Sequence, residues 1–277
     1  MECGCRYGPH VSVRKSIFET LTSLDSKCKC CQIFLGNPQS YSVRMIDKKD
    51  AENCREYLSK NDMKLYVHAN YIINLASEDE NLILKGKSCL QDTLDSLSRI
   101  GSEYTGIILH PGAKGSISNI IKNINDLDLK VPLYLENTAG EGTKFGKNYD
   151  EIRLMLEGID SKNIGSCWDS CHSFASGLVD FREMNSIDKF FEELPLHKNT
   201  IFHLNDSLTD FGGKRDRHAP MGYGYAFNYN NPGSLDRLQR LYDLSISNKI
   251  DIIFETPNPA TDYFEGNFIS EIMKQKC

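Results

Sequence analysis

Eight short β-rich runs, each followed by a segment of helical spacing, dominate the chain, and few folds accommodate that alternation. The runs are Tyr7–Val13, Cys30–Leu35, Lys64–His68, Tyr104–His110, Val131–Glu136, Ile164–Asp169, Thr200–Leu204 and Asp251–Glu255. The amphipathic segments are Val13–Leu24, Asp50–Lys60, Leu82–Ile100, Asn119–Leu127, Tyr149–Leu156, Ile187–Leu194, Leu235–Ser247 and Tyr263–Met273. Ile17, Leu21 and Leu24 share one face of the first, and Ala51, Cys54 and Leu58 one face of the second. Such helices return the chain antiparallel to the preceding strand, so successive strands run parallel. A doubly wound open sheet and a closed barrel both satisfy this order. No GxGxxG follows the first run, eight strands are the number at which a barrel closes, and 277 residues suit a fold of typically about 250. The expectation is α/β: a (β/α)8 TIM barrel, one domain over residues 1–277.

Composition sets limits on function. Hydrophobic content of 40% and charged content of 25% are those of an ordinary globular chain, with no shift to mark a second domain. The formal charge of -6 argues against non-specific coating of DNA. It leaves room for a local metal-lined groove, because charges beyond roughly 8 Å are screened at physiological salt. Met-Glu-Cys-Gly-Cys-Arg lacks the layout of a signal peptide, and no apolar run approaches the ~18 residues that span a bilayer. An intracellular protein, cytoplasmic or nuclear and not secreted, is expected, with no membrane partner. The ten cysteines form no zinc-ribbon pattern and read mostly as small buried thiols, with a redox crosslink near Cys3/Cys5 and Cys28/Cys30/Cys31 as the alternative.

In a barrel the chemistry lies at the carboxyl ends of the strands. Those positions hold His10, Asn37 to Gln39, His68, His110, Glu136, Asp169 with His172, His203 and Glu255. Any one of them has a structural explanation, a capping carboxylate or a hydrogen-bonded histidine. Six of the seven histidines nevertheless fall on this face, and only His197 does not. After His203 comes a long stretch rich in Gly, Asp, Asn and Tyr that carries Asp216-Arg-His218, and loops of this length are usually functional. Imidazole and carboxylate without thiolate suit zinc, with manganese or iron at some positions. Glu136 can bridge two ions, and paired ions activate a shared water for in-line phosphoryl displacement. Cys167 and Cys171 flank Asp169 and read as core filling in preference to competing ligands.

Several motifs in one order resemble endonuclease IV, the zinc-dependent apurinic/apyrimidinic endonuclease family. They are His68-Ala-Asn-Tyr-Ile-Ile-Asn-Leu-Ala76, His110-Pro-Gly112, Leu135-Glu-Asn-Thr-Ala-Gly-Glu-Gly142, Asp169-Ser-Cys-His172, His203-Leu-Asn-Asp-Ser207, Asp216-Arg-His218 and Glu255-Thr-Pro-Asn258. The resemblance implies three zinc ions per chain. His68, His110 and Glu136 would hold the first; Glu136, Asp169, His203 and Glu255 the second; His172, Asp216 and His218 the third. It implies backbone incision 5′ to abasic sites, trimming of blocked 3′ ends, and double-stranded DNA carrying such lesions as partner of a monomeric enzyme. Glu136 as the bridge and Glu255 as the residue orienting or deprotonating the nucleophile would be catalytic. Tyr71 and Ile72 match side chains the family pushes into the minor groove, where the alternative is loop packing. Gln39 matches a second inserting loop but stands where some members carry arginine. Lys214, Arg215 and Arg217 read as phosphate contacts or solvated charge, and His10 as a residue behind the ligands or facing phosphate. A metal-dependent sugar isomerase or epimerase barrel is the competing reading, separated from the first by Asp216 and His218.

Overall fold

The computed structural model describes residues 6–194 and 199–255. The expected helix Tyr263–Met273, the tail of the Glu255-Thr-Pro-Asn258 motif and His197 lie outside the described residues. In chain order the elements are β1 (Tyr7–Pro9), α1 (Ile17–Thr22), β2 (Cys30–Ile33), α2 (Lys48–Asn61), β3 (Lys64–His68), α3 (Glu80–Ser98), β4 (Thr105–Leu109), α4 (Ile117–Asn125) and β5 (Leu133–Glu136). Then come α5 (Tyr149–Gly158), β6 (Ile164–Asp169), α6 (Ser170–Ala175), α7 (Met184–Glu193), β7 (Asn199–His203), β8 (Asp206–Ser207), β9 (His218–Ala219), α8 (Ser234–Ser247) and β10 (Asp251–Phe254). Periodicity does not foretell the short helix α6 or the β8–β9 hairpin, because both are shorter than the windows in which a period shows.

Eight strands pair in parallel in the order β1-β10-β7-β6-β5-β4-β3-β2. The circle closes between β1 and β2: the Lys29 N–H donates to Tyr7 O at 3.0 Å, the Val11 N–H donates to Gln32 O at 2.8 Å, and His10 bridges Gln32. That closure excludes the doubly wound open sheet. It also explains Gly8, since a Cβ there would stand 1.7 Å from Cys30 O. The first strand is shorter than the expected Tyr7–Val13.

Side chains on a strand alternate between faces. Outward residues such as Leu65, Val67, Ile107, Leu109, Leu133, Leu135, Trp168 and Phe202 pack with the buried helix faces into the main core. Cys30, Tyr66, Ile108, Tyr134, Cys167, Ile201 and Ile253 point inward and plug the barrel. The helices are capped locally: Ser16, Asp47, Asp79, Ser116 and Asn148 each accept a backbone N–H from the first turn of the helix they precede.

Candidate metal centre

Two residues beyond each inward plug residue, the same inward face reaches the carboxyl end of the barrel. Those positions are Gln32, His68, His110, Glu136, Asp169, His203 and Glu255. Strand alternation alone therefore gathers six of the expected ligands, and Gln32 with them. The sequence reading places the second strand's contribution at Asn37 to Gln39, which lie in the loop after that strand. A buried glutamine between cysteine and isoleucine is the signal that points to Gln32 instead.

Glu136 sits at the middle of the cluster and is 1% exposed. Its Oε2 lies 3.1 Å from His68 Nε2 and 3.4 Å from His110 Nε2, and its Oε1 lies 3.0 Å from His203 Nδ1. His203 Nδ1 is also 3.1 Å from Glu255 Oε2. Asp169 has two duties. Its Oδ1 caps α6 by accepting the His172 N–H at 2.7 Å, and its Oδ2 faces His218 Nε2 at 3.6 Å. The cap sets His172 one helical turn beyond Asp169, and His172 Nε2 reaches to 3.1 Å from Asp216 Oδ2. His218 Nε2 is 3.4 Å from Asp216 Oδ1. Ligand atoms of His68, His110 and Glu136, and of Glu136, Asp169, His203 and Glu255, lie within 4.8 Å of one another, as do those of Asp169, His172 and His218.

The histidine protons are placed by their other contacts. A carbonyl oxygen only accepts, so His68 Nδ1 donates to Ala69 O at 2.8 Å and His172 Nδ1 donates to Asn137 O at 2.9 Å. Both rings then point Nε2 at carboxylates, His68 at Glu136 and His172 at Asp216, a position that a proton fills in the ion-free protein and a metal could take. Gln32 Nε2 donates to Glu255 Oε1, so its Oε1 accepts from His203 Nε2 at 2.9 Å and leaves His203 Nδ1 facing the carboxylates. His10 Nδ1 lies 2.8 Å from Gln32 Nε2 and 3.3 Å from Glu255 Oε1. Asn205, which sequence reasoning does not single out, ties three strand ends together. Its Nδ2 donates to Asp169 Oδ2 and Glu255 Oε2, and its Oδ1 accepts the Glu255 N–H at 2.9 Å.

The charges and lone pairs of this cluster are suited to cations. His110 Nδ1, His172 Nε2 and His218 Nε2 are buried without a hydrogen bond. The two Nε2 atoms face the carboxylates of Asp169 and Asp216, and a lone pair set against a carboxylate repels it unless a proton or a metal stands between them. The protonation equilibria express the same demand. Burial opposes charge on His172, but Asp169 and Asp216 outweigh it and hold the ring up at about 10. Burial also opposes ionisation of Glu136, yet His110 and His203 keep it well below the usual carboxylate range. His110 goes the other way, pushed down to about 4 by burial first and by His68 and His172. Nitrogen and oxygen donors in three such groups fit divalent ions of zinc type. Cys167 belongs to the barrel plug, and burial pushes its thiol up to about 12, so it stays neutral near physiological pH.

Asp216 and His218 arrive by a different route. β8 pairs antiparallel with β9, with Ser207 opposite His218. The buried Asp206 organises the chain around this hairpin by accepting N–H groups of Ser207, Gly222, Gly224, Ala226 and Phe227 at 2.8–3.1 Å. The loop before His218 rests on α6: the Gly212 N–H donates to Phe174 O and the Lys214 N–H to Ala175 O. Arg182, paired with Asp180 and Asp210, lies over the rings of Phe174 and Phe211. Glu141 Oε1 accepts the Asp216 N–H at 2.9 Å.

Comparison with known proteins agrees with this architecture. A family model described as a xylose isomerase-like TIM barrel, that of the second AP endonuclease family, matches residues 24–266. "Probable endonuclease 4" of Halothermothrix orenii is 30% identical over 236 residues, covering 79% of this chain and 84% of that one. The protein of the same name from Aquifex aeolicus is 30% identical over 235 residues, covering 79% and 82%. The chain belongs to the endonuclease IV family. Crystalline endonuclease IV from Thermus thermophilus superposes with a TM-score of 0.82 at 25% identity, covering 98% of this chain and 99% of that one. A D-tagatose 3-epimerase-like protein, at 18% identity and a TM-score of 0.68 over 97% of each chain, shares the fold alone.

The remaining residues of the endonuclease IV resemblance lie on the rim of the same face. Tyr71 is half-exposed, and its ring stands 5.1 Å from that of His68 and 6.0 Å from that of His110. Ile72 is partly buried and Gln39 exposed. Lys214, Arg215 and Arg217 are exposed beside Asp216. No helix among the described residues is long and apolar enough to cross a membrane.

Proposed function

We propose that this chain is a metal-dependent DNA-repair phosphodiesterase that cuts the backbone 5′ to abasic sites and trims blocked 3′ ends. The observation that carries the reading is the convergence of nine ligand side chains, with His172 Nε2 and His218 Nε2 buried against carboxylates without a hydrogen bond. Three zinc ions would be held by His68, His110 and Glu136; by Glu136, Asp169, His203 and Glu255; and by His172, Asp216 and His218. Manganese or iron is the alternative at some positions. Such ions, when bound, supply hydroxide at neutral pH and neutralise charge on attacking and leaving oxygens.

The side chains have distinct tasks. Glu136, shared by two groups, holds them at one fixed separation. Glu255, fixed by Asn205, Gln32 and His10, orients the nucleophile's proton. The barrel plug closes the site from below, so water and substrate enter only from the strand ends. Tyr71, Ile72 and Gln39 would enter the duplex groove, and Lys214, Arg215 and Arg217 would hold phosphates. His10 would face the phosphate from behind Glu255. The protein would act as a monomer on double-stranded DNA.

The test is incision of a duplex with a single abasic analogue against the intact duplex, with metal analysis alongside. Three zinc per chain and cutting 5′ to the lesion are expected. A reproducible content of one ion with no incision by metal-replete protein would transfer the chain to the sugar isomerase reading.

A further inference from the structure

We propose that Asn70 is a positioning residue that fastens the loop 36–44 to the loop 69–73, so that Tyr71, Ile72 and Gln39 form one preassembled ridge for a nucleic-acid groove. The inference rests on the proposed reading of abasic duplex DNA as substrate. Asn70 lies between the ligand His68 and the exposed Tyr71, yet is itself 4% exposed. Its Nδ2 lies 2.6 Å from Ser40 O, 3.2 Å from Asn37 O and 3.4 Å from Ser42 O, so one amide donates into a ring of three carbonyls on the other loop.

Further bonds cross the same junction. The Tyr71 N–H donates to Pro38 O at 2.9 Å, and Tyr41 Oη donates to Ile72 O at 3.2 Å. Loop 36–44 is pinched at its base by the Arg44 N–H donating to Leu35 O at 2.7 Å. Gly36 adopts φ +146°, and a Cβ there would come within 2.8 Å of Ser42 O. The Tyr71 ring is braced from below, 5.3 Å from the ring of Phe34, which belongs to the chain leading into loop 36–44. Neither loop can shift alone without breaking these bonds. A ridge ordered before binding loses less conformational entropy when it inserts, and that difference appears in substrate affinity and not in the chemical step.

The experiment compares Asn70→Leu, which nearly keeps the shape and removes the donors without adding charge, with Asn70→Ala, which also removes the bulk. In the DNA-free protein, exchange of the Tyr71 amide hydrogen is expected to accelerate about tenfold or more in both. On an abasic-analogue duplex KM rises about tenfold while kcat stays within about twofold, and metal content matches the unmodified protein. A role in packing alone would leave the near-isosteric Asn70→Leu close to the parent in exchange and KM, and that result overturns the proposal. If exchange responds as expected but the parent protein leaves abasic duplex intact, the proposed function fails and the fastening stands.

Discussion

The candidate metal centre joins two sets of ligands placed by different physics, with His172 on α6 between them. His68, His110, Glu136, Asp169, His203 and Glu255 sit at the ends of barrel strands, four of them at most 2% exposed, with Glu255 at 11% and His110 at 23%. Asp216 and His218 come from a hairpin and its loop and are 31% and 19% exposed. The strand-borne ligands are positioned by parallel registers that cannot slip without turning the plug outward. The hairpin-borne pair depends on a few separable tethers: Asp206, Glu141, the α6 carbonyls and Arg182. The first half should behave as a unit, and the second should be removable alone.

The largest expected effect is at the shared carboxylate. Glu136→Gln should lower incision by ~10³-fold or more and reduce metal in the first two groups together. Independent loss of only one of those ions would break the picture of a unit. Next comes the loop-borne half. Asp216→Asn should weaken the third ion roughly 10–100-fold while two ions remain, read by metal analysis during graded chelation. Glu141→Ala should show a milder form of the same loss, and Glu141→Gln, which keeps an acceptor for the Asp216 N–H, should restore it. Loss of all ions together in Asp216→Asn would show that the halves are coupled.

A pH series on metal-stripped protein addresses both halves. Despite burial, His68 and His172 are held above their ordinary value of 6.5 by the surrounding carboxylates, and His203 by Cys167, Glu255 and Glu136. Their stabilisation is complete below that value and is lost as pH rises through their raised values, which for His172 is about 10. Glu136, Asp216 and Glu255 are depressed by the histidines despite burial, so their contribution is present above the ordinary carboxylate range and lost on acidification. Stripped protein should therefore melt highest in mildly acidic buffer and lose several degrees by pH 9. Bound metal should cancel or reverse that slope, because it replaces the protons. A flat profile in stripped protein would mean that the ion-free cluster relaxes apart. The smallest effect is at the rim: Lys214→Ala should weaken duplex binding several-fold and lower the salt slope by about one, with metal content unchanged.

Much of this architecture is legible in the chain. Alternation of strand and helix foretells the barrel, and Glu136, His203 and Glu255 can be named as strand-end residues without coordinates. The expected boundaries err where local chemistry intervenes. The first strand stops early as the chain turns to close on β2, and α1 begins only at the Ser16 cap. Gln32 escapes notice although its signal is present, because the inward parity of Cys30 extends to it two residues on.

What the sequence determined by itself is whatever repeats with the period of a strand or helix, since that period is a property of the local backbone. The barrel and six of the nine expected ligands come from it. Only the tertiary structure decided which loops would meet. Asn70 finds Asn37 33 residues away, Asp206 gathers amides from Gly222 to Phe227, and Glu141 reaches Asp216 across 75 residues. A donor in a loop carries no period, and its acceptor exists as a place in space only after the barrel has closed.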